Sequence, residues 1–262
     1  MALTKEQIEQ VSNELVESEK TCVPIVSLTD RFGDVSYEDA YAIQLKTIDT
    51  KVKAGGVVVA KKIGLTSKAM QDWLGVHEPD YGIIVDQMVV REGQPIAMSS
   101  LIMPKIEPEL AFLLKDDLVG PGINAANVLD ATEGILPAFE VIDSRYKDWK
   151  ITVKDSISDN ASAGIMILGG KLTPVKDIDL RLGGMVLEHN GKVIGTAAGA
   201  AVLGNPAASV AWLANKLTEF GVPLKKGEFV MSGSLVSAVN IEAGSFLRAT
   251  FDHFGPVSVL FE

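Results

Sequence analysis

A chain of 262 residues with 24 basic and 34 acidic side chains, formal charge −10, is long enough for one large core or two small ones. The acidic balance and the lack of any Lys/Arg-rich block exclude the positive footprint that nucleic acid or an anionic membrane needs in a partner. A single cysteine, Cys22, excludes an internal disulfide framework and fits a reducing compartment.

Residues 1–7 are polar and of mixed charge, with no apolar h-region, so no secretory leader is expected and the cytoplasm is the expected location. Thr4 and Gln7 have the spacing of a capping box, and Ile8, Val11 and Leu15 follow at helical intervals, which predicts an amphipathic helix. A second helix starts after Ser36, with Tyr37, Ala40, Tyr41, Leu45 and Ile48 on one face and Gly55-Gly56 as its stop. Residues 1–56 therefore read as a helical part and residues 57–262 as the body.

The β-branched run from Val57 to Gly64 predicts a strand. Lys61 and Lys62 fall on its opposite faces, and taken alone both read as surface lysines with snorkelling stems. A short helical segment from Ser67 to Leu74 and the turn-prone stretch His77 to Gly82 follow, a pair able to form a lid. Beyond Ile83 short strands alternate with Gly/Pro/Asn turns, broken by a helical piece near Asn124 to Thr132 and a helix from Pro206 to Phe220 capped by Asn205. Asn190-Gly191 signals a hairpin. The long uncharged window from Val193 to Asn215 is interrupted by glycines and by Asn205-Pro206, so it reads as a buried loop and helix and not as a membrane span. Runs 228–231, 246–251 and 257–261 read as closing strands. The sum is a mixed α+β unit whose sheets fold around a site.

Chemistry concentrates in Lys105-Ile106-Glu107-Pro108-Glu109-Leu110, where two carboxylates spaced i and i+2 share one face of an apolar strand. Like charges on a half-buried face need a neutraliser, and a divalent cation serves; the plain alternative is a solvated edge strand, which Pro108 permits. Glu140, mid-run in 135–143, pairs with Arg145 or Lys105 if read alone, and supplies a third oxygen ligand, suited to Mg²⁺ or Mn²⁺, if read with the other two. His77, His189 and His253 are scattered, so zinc is not expected, and no phosphate loop, dinucleotide fingerprint or serine nucleophile elbow occurs. The 159–164 stretch, Asp-Asn-Ala-Ser-Ala-Gly, reads first as a capped turn and second as an anion- or water-orienting loop.

In order along the chain, 61–68 (Lys-Lys-Ile-Gly-Leu-Thr-Ser-Lys), 78–82 (Glu-Pro-Asp-Tyr-Gly), 106–109 (Ile-Glu-Pro-Glu), 139–145 (Phe-Glu-Val-Ile-Asp-Ser-Arg), 159–162 and the 199–204 run together resemble the 2-hydroxypenta-2,4-dienoate hydratase and 4-oxalocrotonate decarboxylase family, within the fumarylacetoacetase-like superfamily. The resemblance implies a mixed β-roll with peripheral helices, homo-oligomers, a possible complex with a neighbouring pathway enzyme, and work on a 2-hydroxydienoate or 2-oxoenoate from aromatic meta-cleavage. It implies Glu107, Glu109 and Glu140 as ligands of Mg²⁺ or Mn²⁺, Lys62, Asp80 and Ser162 as catalytic groups, and Leu110, Arg145 and Asn160 as substrate-binding. Lys62, desolvated beside a metal, is expected to have a lowered pKa. No histidine matches the hydrolytic base of true fumarylacetoacetases, which argues against C–C bond hydrolysis. Stretches 68–71, 75–80 and 147–150 look closer to the hydratase. The decarboxylase is the alternative, which a further cation such as Lys68, Arg145 or Lys147 would favour, and a non-catalytic partner subunit is the third reading.

Overall fold

The computed structural model describes residues 2–68, 71–72 and 76–262. Thr4 caps α1 (Lys5–Thr21) as expected: its hydroxyl accepts from the Gln7 amide, and the Gln7 side chain accepts from the Thr4 amide. α2 (Leu28–Phe32) and α3 (Tyr37–Lys53) begin on Ser27 and Ser36 in the same way. Val11, Leu15, Leu28, Val35 and Ile43 from this helical part close on Tyr146 of the body. The inward face of α3 differs from the expected stripe, because Tyr37 and Leu45 are exposed while Gln44 and Thr47 are buried. Hydrogen bonds let those polar residues in: Thr47 to Ser12 and the Ile43 carbonyl, Gln44 to the carbonyls of Tyr81 and Ile157.

The body contains β1 (Val58–Gly64), β2 (Asp80–Val85), β3 (Val89–Arg91), β4 (Lys105–Leu114), β5 (Thr132–Ile142), β6 (Ala163–Leu168), β7 (Gly184–His189), β8 (Lys192–Ala198), β9 (Phe229–Met231), β10 (Val239–Asn240), β11 (Phe246–Phe251) and β12 (Gly255–Leu260). Among the described residues the helices α4 (Ala125–Asp130), α5 (Val153–Ser158) and α6 (Pro206–Thr218) lie between them. A mixed sheet runs β2-β1-β9-β4-β5-β6-β3, with β10 also on β4, and an antiparallel sheet runs β12-β11-β7-β8. Residues from both sheets, among them Phe112, Ile135, Phe139, Leu247, Phe251 and Val257, share the main core. The α+β expectation holds, and the Asn190-Gly191 hairpin joins β7 to β8 with positive φ at both turn residues.

Three local expectations give way to non-local pairing. Asp80–Gly82 are strand, not turn, since Asp80, Tyr81 and Gly82 pair with Gly64, Ile63 and Lys62 and the whole of β2 is buried. The first part of the 193–215 window is the edge strand β8, with Val193 and Ile194 exposed instead of buried. Half of the helix expected over 67–74, Ala69, Met70, Trp73 and Leu74, lies outside the described residues.

Pro108 does not mark an edge, because β4 is interior, flanked by β5 on one side and by β9 and β10 on the other. The β9 pairing covers Ala111–Leu113 and the β10 pairing covers Lys105–Ile106, so the ladder is interrupted between them. There the Pro108 carbonyl accepts from Leu235 N and the Leu110 carbonyl from Ser232 N. The amide proton that proline lacks would have faced this gap, so no ladder bond is lost.

Residues paired directly across strands share a face of the sheet. By this register Lys62, Asp80, Glu107, Glu109 and Glu140 all lie on one face, together with the small apolar side chains Ala60, Ala111 and Ala138. Lys61, Ile106, Leu110 and Phe112 lie on the other, against the main core.

Candidate active site

Glu107 of β4 stands directly opposite Glu140 of β5, and Glu109 follows two residues along the same face. The three carboxylates offer oxygens that all lie within 4.8 Å of one another, the arrangement expected from the sequence. Glu109 accepts one hydrogen bond, 2.8 Å from Gly233 N, whereas neither Glu140 oxygen receives one. Gly233 comes this close because it has φ +105° and no Cβ; one there would stand 2.3 Å from Thr66 Oγ1.

The electrostatics follow from burial. Desolvation first, and then the charges of its neighbours, chiefly Glu140, push the Glu107 carboxyl up to about 7. Glu109 is raised well above the usual carboxylate range by burial, Glu140 and Glu107, and Glu140 is raised by burial against the pull of Lys62. Three carboxylates, with neither Glu140 oxygen hydrogen-bonded among the described residues, carry more negative charge than the one neighbouring ammonium of Lys62 offsets. The donor set therefore fits a hard divalent ion.

Lys62 from β1 brings its Nζ to 3.3 Å from Glu140 Oε1. It is 3 % exposed, and Lys61 on the opposite face is 4 % exposed, so the expectation of two surface lysines fails for both. Lys61 Nζ donates to Glu228 Oε2 at 2.6 Å, a partner 167 residues away in sequence. In the metal-free chain burial alone would lower the Lys62 pKa, and the charges of Glu140, Asp80, Glu107 and Glu109 raise it; the expected lowering beside a metal concerns the loaded site. Lys105, the sequence alternative for Glu140, instead lays its Nζ 4.5 Å from the centre of the Trp149 ring.

Asp80, on the same face, is buried and raised by that burial, with Lys62 pulling the other way. Its Oδ2 accepts from Ser156 Oγ at 3.0 Å; Oδ1 has no hydrogen-bond partner among the described residues. Gly64 makes room for it, since a Cβ there would stand 2.2 Å from Asp80 Oδ1 and 3.4 Å from Lys62 Nζ.

Ser162 is buried and ends a turn in which Asn160, Ala161 and Ser162 have φ of 56°, 51° and 53°, three successive left-handed residues without a glycine. The Arg145–Asp159 pair holds this turn. Arg145 Nε donates to Asp159 Oδ1 at 2.6 Å, and its other donors reach the carbonyls of Asp143, Ala163 and Asp159. Asp159 Oδ2 in turn accepts from Arg145 N, Ser144 Oγ and Ser162 Oγ. Burial pushes the Asp159 carboxyl up to about 6 even against Arg145. Asn160 clamps β2, accepting from Ile83 N and donating to Ile83 O, both at 2.8 Å.

Ser162 thus spends its hydroxyl proton on Asp159, and the residues expected to bind substrate are likewise engaged within the protein. Arg145 and Asn160 spend their polar groups on the protein itself, and the Leu110 side chain lies in the main core on the far face from Glu109. Ser156, Gly64 and Gly233 are functional neighbours that the sequence reading did not single out. Thr152 and Asp155 carry the signal that could have found Ser156, a capping box opening α5.

The chain matches the family model described as "Fumarylacetoacetate (FAA) hydrolase C-terminal" over residues 51–260. It is 46% identical over 221 residues to a 2-hydroxypent-2,4-dienoate hydratase of Pseudomonas putida, covering 84% of this chain and 100% of that one. It is 41% identical over 259 residues to a 2-hydroxyhexa-2,4-dienoate hydratase of Comamonas testosteroni, covering 98% of each. Among solved structures it superposes on 4-oxalocrotonate decarboxylase from Pseudomonas putida G7, complexed with magnesium and adipate, with a TM-score of 0.96, 37% identity and 99% of both chains covered.

Proposed function

The chain belongs to the fumarylacetoacetate hydrolase family, and from that premise we propose that it is a metal-dependent lyase adding water to 2-hydroxypenta-2,4-dienoate to give 4-hydroxy-2-oxopentanoate, a step of aromatic meta-cleavage catabolism. The observation that carries this reading is the convergence of Glu107, Glu109 and Glu140 beside a buried Lys62. The three glutamates hold Mg²⁺ or Mn²⁺, which supplies Lewis acidity to the carboxylate and adjacent C2 oxygen of the substrate.

The C2 enol first loses its proton while C5 gains one, giving the 2-oxo-3-enoate. Water then adds across C3 and C4, the hydroxyl to C4 and the proton to C3, which leaves C2 a ketone. Lys62, protonated among the carboxylates, is the proton-moving group closest to the ligand set. Asp80 Oδ1, buried and without a hydrogen-bond partner among the described residues, is aimed to orient the water, and Ser162, its hydroxyl proton given to Asp159 Oδ2, has only its oxygen lone pairs to offer.

Decarboxylation of 2-oxohex-3-enedioate, the second reading, is supported by the fold shared with the decarboxylase. It needs a cation for a second carboxylate. Arg145 is spent on Asp159, Lys68 is exposed and paired with Asp72, and Lys147 is exposed, which favours the monoacid and hence the hydratase. Absorbance and CO₂ assays on both substrates with Mg²⁺ test this. Loss of dienoate absorbance without CO₂ supports the hydratase, and CO₂ release from the diacid supports the decarboxylase. The same reading includes self-association, supported by exposed Val193 and Ile194 on the open edge of β8, and a cytoplasmic location. No helix among the described residues is long and apolar enough to cross a membrane.

A further inference from the structure

The Asp80 carboxylate is held asymmetrically. One oxygen is capped by Ser156, and the other is buried, without a hydrogen-bond partner among the described residues, and lodged where only a glycine at position 64 leaves space, against the same point that Lys62 Nζ approaches. An unrestrained carboxylate would rotate about its Cβ–Cγ bond and present either oxygen. A hydroxyl fixed on Oδ2 removes that freedom.

The helix that carries Ser156 is itself anchored from outside the body. Asp155, its neighbour, accepts from Thr29 N at 2.8 Å and from Thr29 Oγ1 at 2.7 Å, both in α2. From α3, the fully buried Gln44 donates through one nitrogen to the carbonyls of Tyr81 and Ile157, the residues that follow Asp80 and Ser156. Asn160, in the turn that follows α5, adds the clamp on Ile83 of β2. Thr29 and Gln44 both lie outside the stretch 51–260 matched by the family model.

We propose that Ser156 is a positioning residue that fixes the Asp80 carboxylate with Oδ1 toward Lys62 and the substrate, and that the N-terminal helices serve the reaction by holding Ser156 in place through Thr29 and Gln44. The inference rests on the reading that Asp80 faces the substrate. It separates an orienting role from bulk stability, because the Ser156 hydroxyl can be removed without opening a large cavity.

The test is a double-mutant cycle of Ser156→Ala and Asp80→Asn on the full chain saturated with Mg²⁺. Ser156→Ala is expected to lower kcat by about tenfold with KM, Mg²⁺ affinity and melting temperature little changed, and Ser156→Thr, which keeps the hydroxyl, to restore most of it. In the Asp80→Asn background the same change is expected to have no further effect. An equal loss in both backgrounds, or full kcat in Ser156→Ala, overturns the proposal. If the unmodified enzyme turns over neither dienoate nor diacid, the functional reading fails instead, and a crystal structure of Ser156→Ala decides the positioning on its own. A rotated Asp80 carboxylate supports it and an unmoved one refutes it.

Discussion

Glu107, Glu109 and Glu140 were legible in the sequence because acidic residues inside apolar strands have few explanations, and alternation puts the first two on one face. Lys62 was singled out by the family resemblance and not by its own strand pattern. Periodicity says which face a side chain takes but not whether that face is solvated, and burial here comes from β2, β5 and β9, distant in sequence. Ser156 was missed because a hydroxyl has no pattern of its own. The raised carboxyls give a prediction for the metal-free protein. Glu107 titrates at about 7, Asp159 at about 6, and Glu109 and Glu140 above the usual carboxylate value, so between about pH 4.5 and 7 the folded state binds more protons than the unfolded one. Stability therefore falls as pH rises through that window. In EDTA the melting temperature is expected to drop from pH 5 to pH 7.5, with Mg²⁺ reversing the drop because it prefers the ionised carboxylates. A metal-free melting temperature that climbs over the same range would contradict the electrostatic account.

Among the elements, those with local signals were read well: α1, α3 and α6 by their caps, and the β7–β8 hairpin by its turn. The short helices α2 and α5 were not, since few residues leave little periodicity to see, although Ser27 and Thr152 mark their starts. β2 was mistaken for a turn because Pro79, Asp80 and Gly82 favour one locally while pairing with β1 decides otherwise. The β1–β9 junction offers a test of what such non-local contacts contribute. Lys61 and Glu228 tie these parallel strands at the border of the main core, and removing one partner leaves a charge buried without compensation. Lys61→Met is expected to destabilise the protein by about 3–5 kcal/mol in urea unfolding, and adding Glu228→Met to recover much of the loss. A cost under about 1 kcal/mol would mean that the pair is effectively solvated.

At the scale of the whole molecule, the sequence supported the α+β class and a helical part leading into a strand-rich body, whereas sheet order was out of reach. β1 lies beside β9 and β4 beside both β9 and β10, pairings that no local pattern encodes. The consequence of that topology is a single acidic face to which β1, β2, β4 and β5 each bring a charged residue. The central claim is that this face acts through a metal, and it is tested by titrating EDTA-stripped enzyme with Mg²⁺ while following 2-hydroxypenta-2,4-dienoate absorbance. Without metal no turnover is expected, recovery should saturate at about one ion per chain, and Glu107→Gln should lose at least about tenfold in Mg²⁺ affinity and activity together. Turnover that persists in EDTA, or a Glu107→Gln variant with full activity, would contradict it.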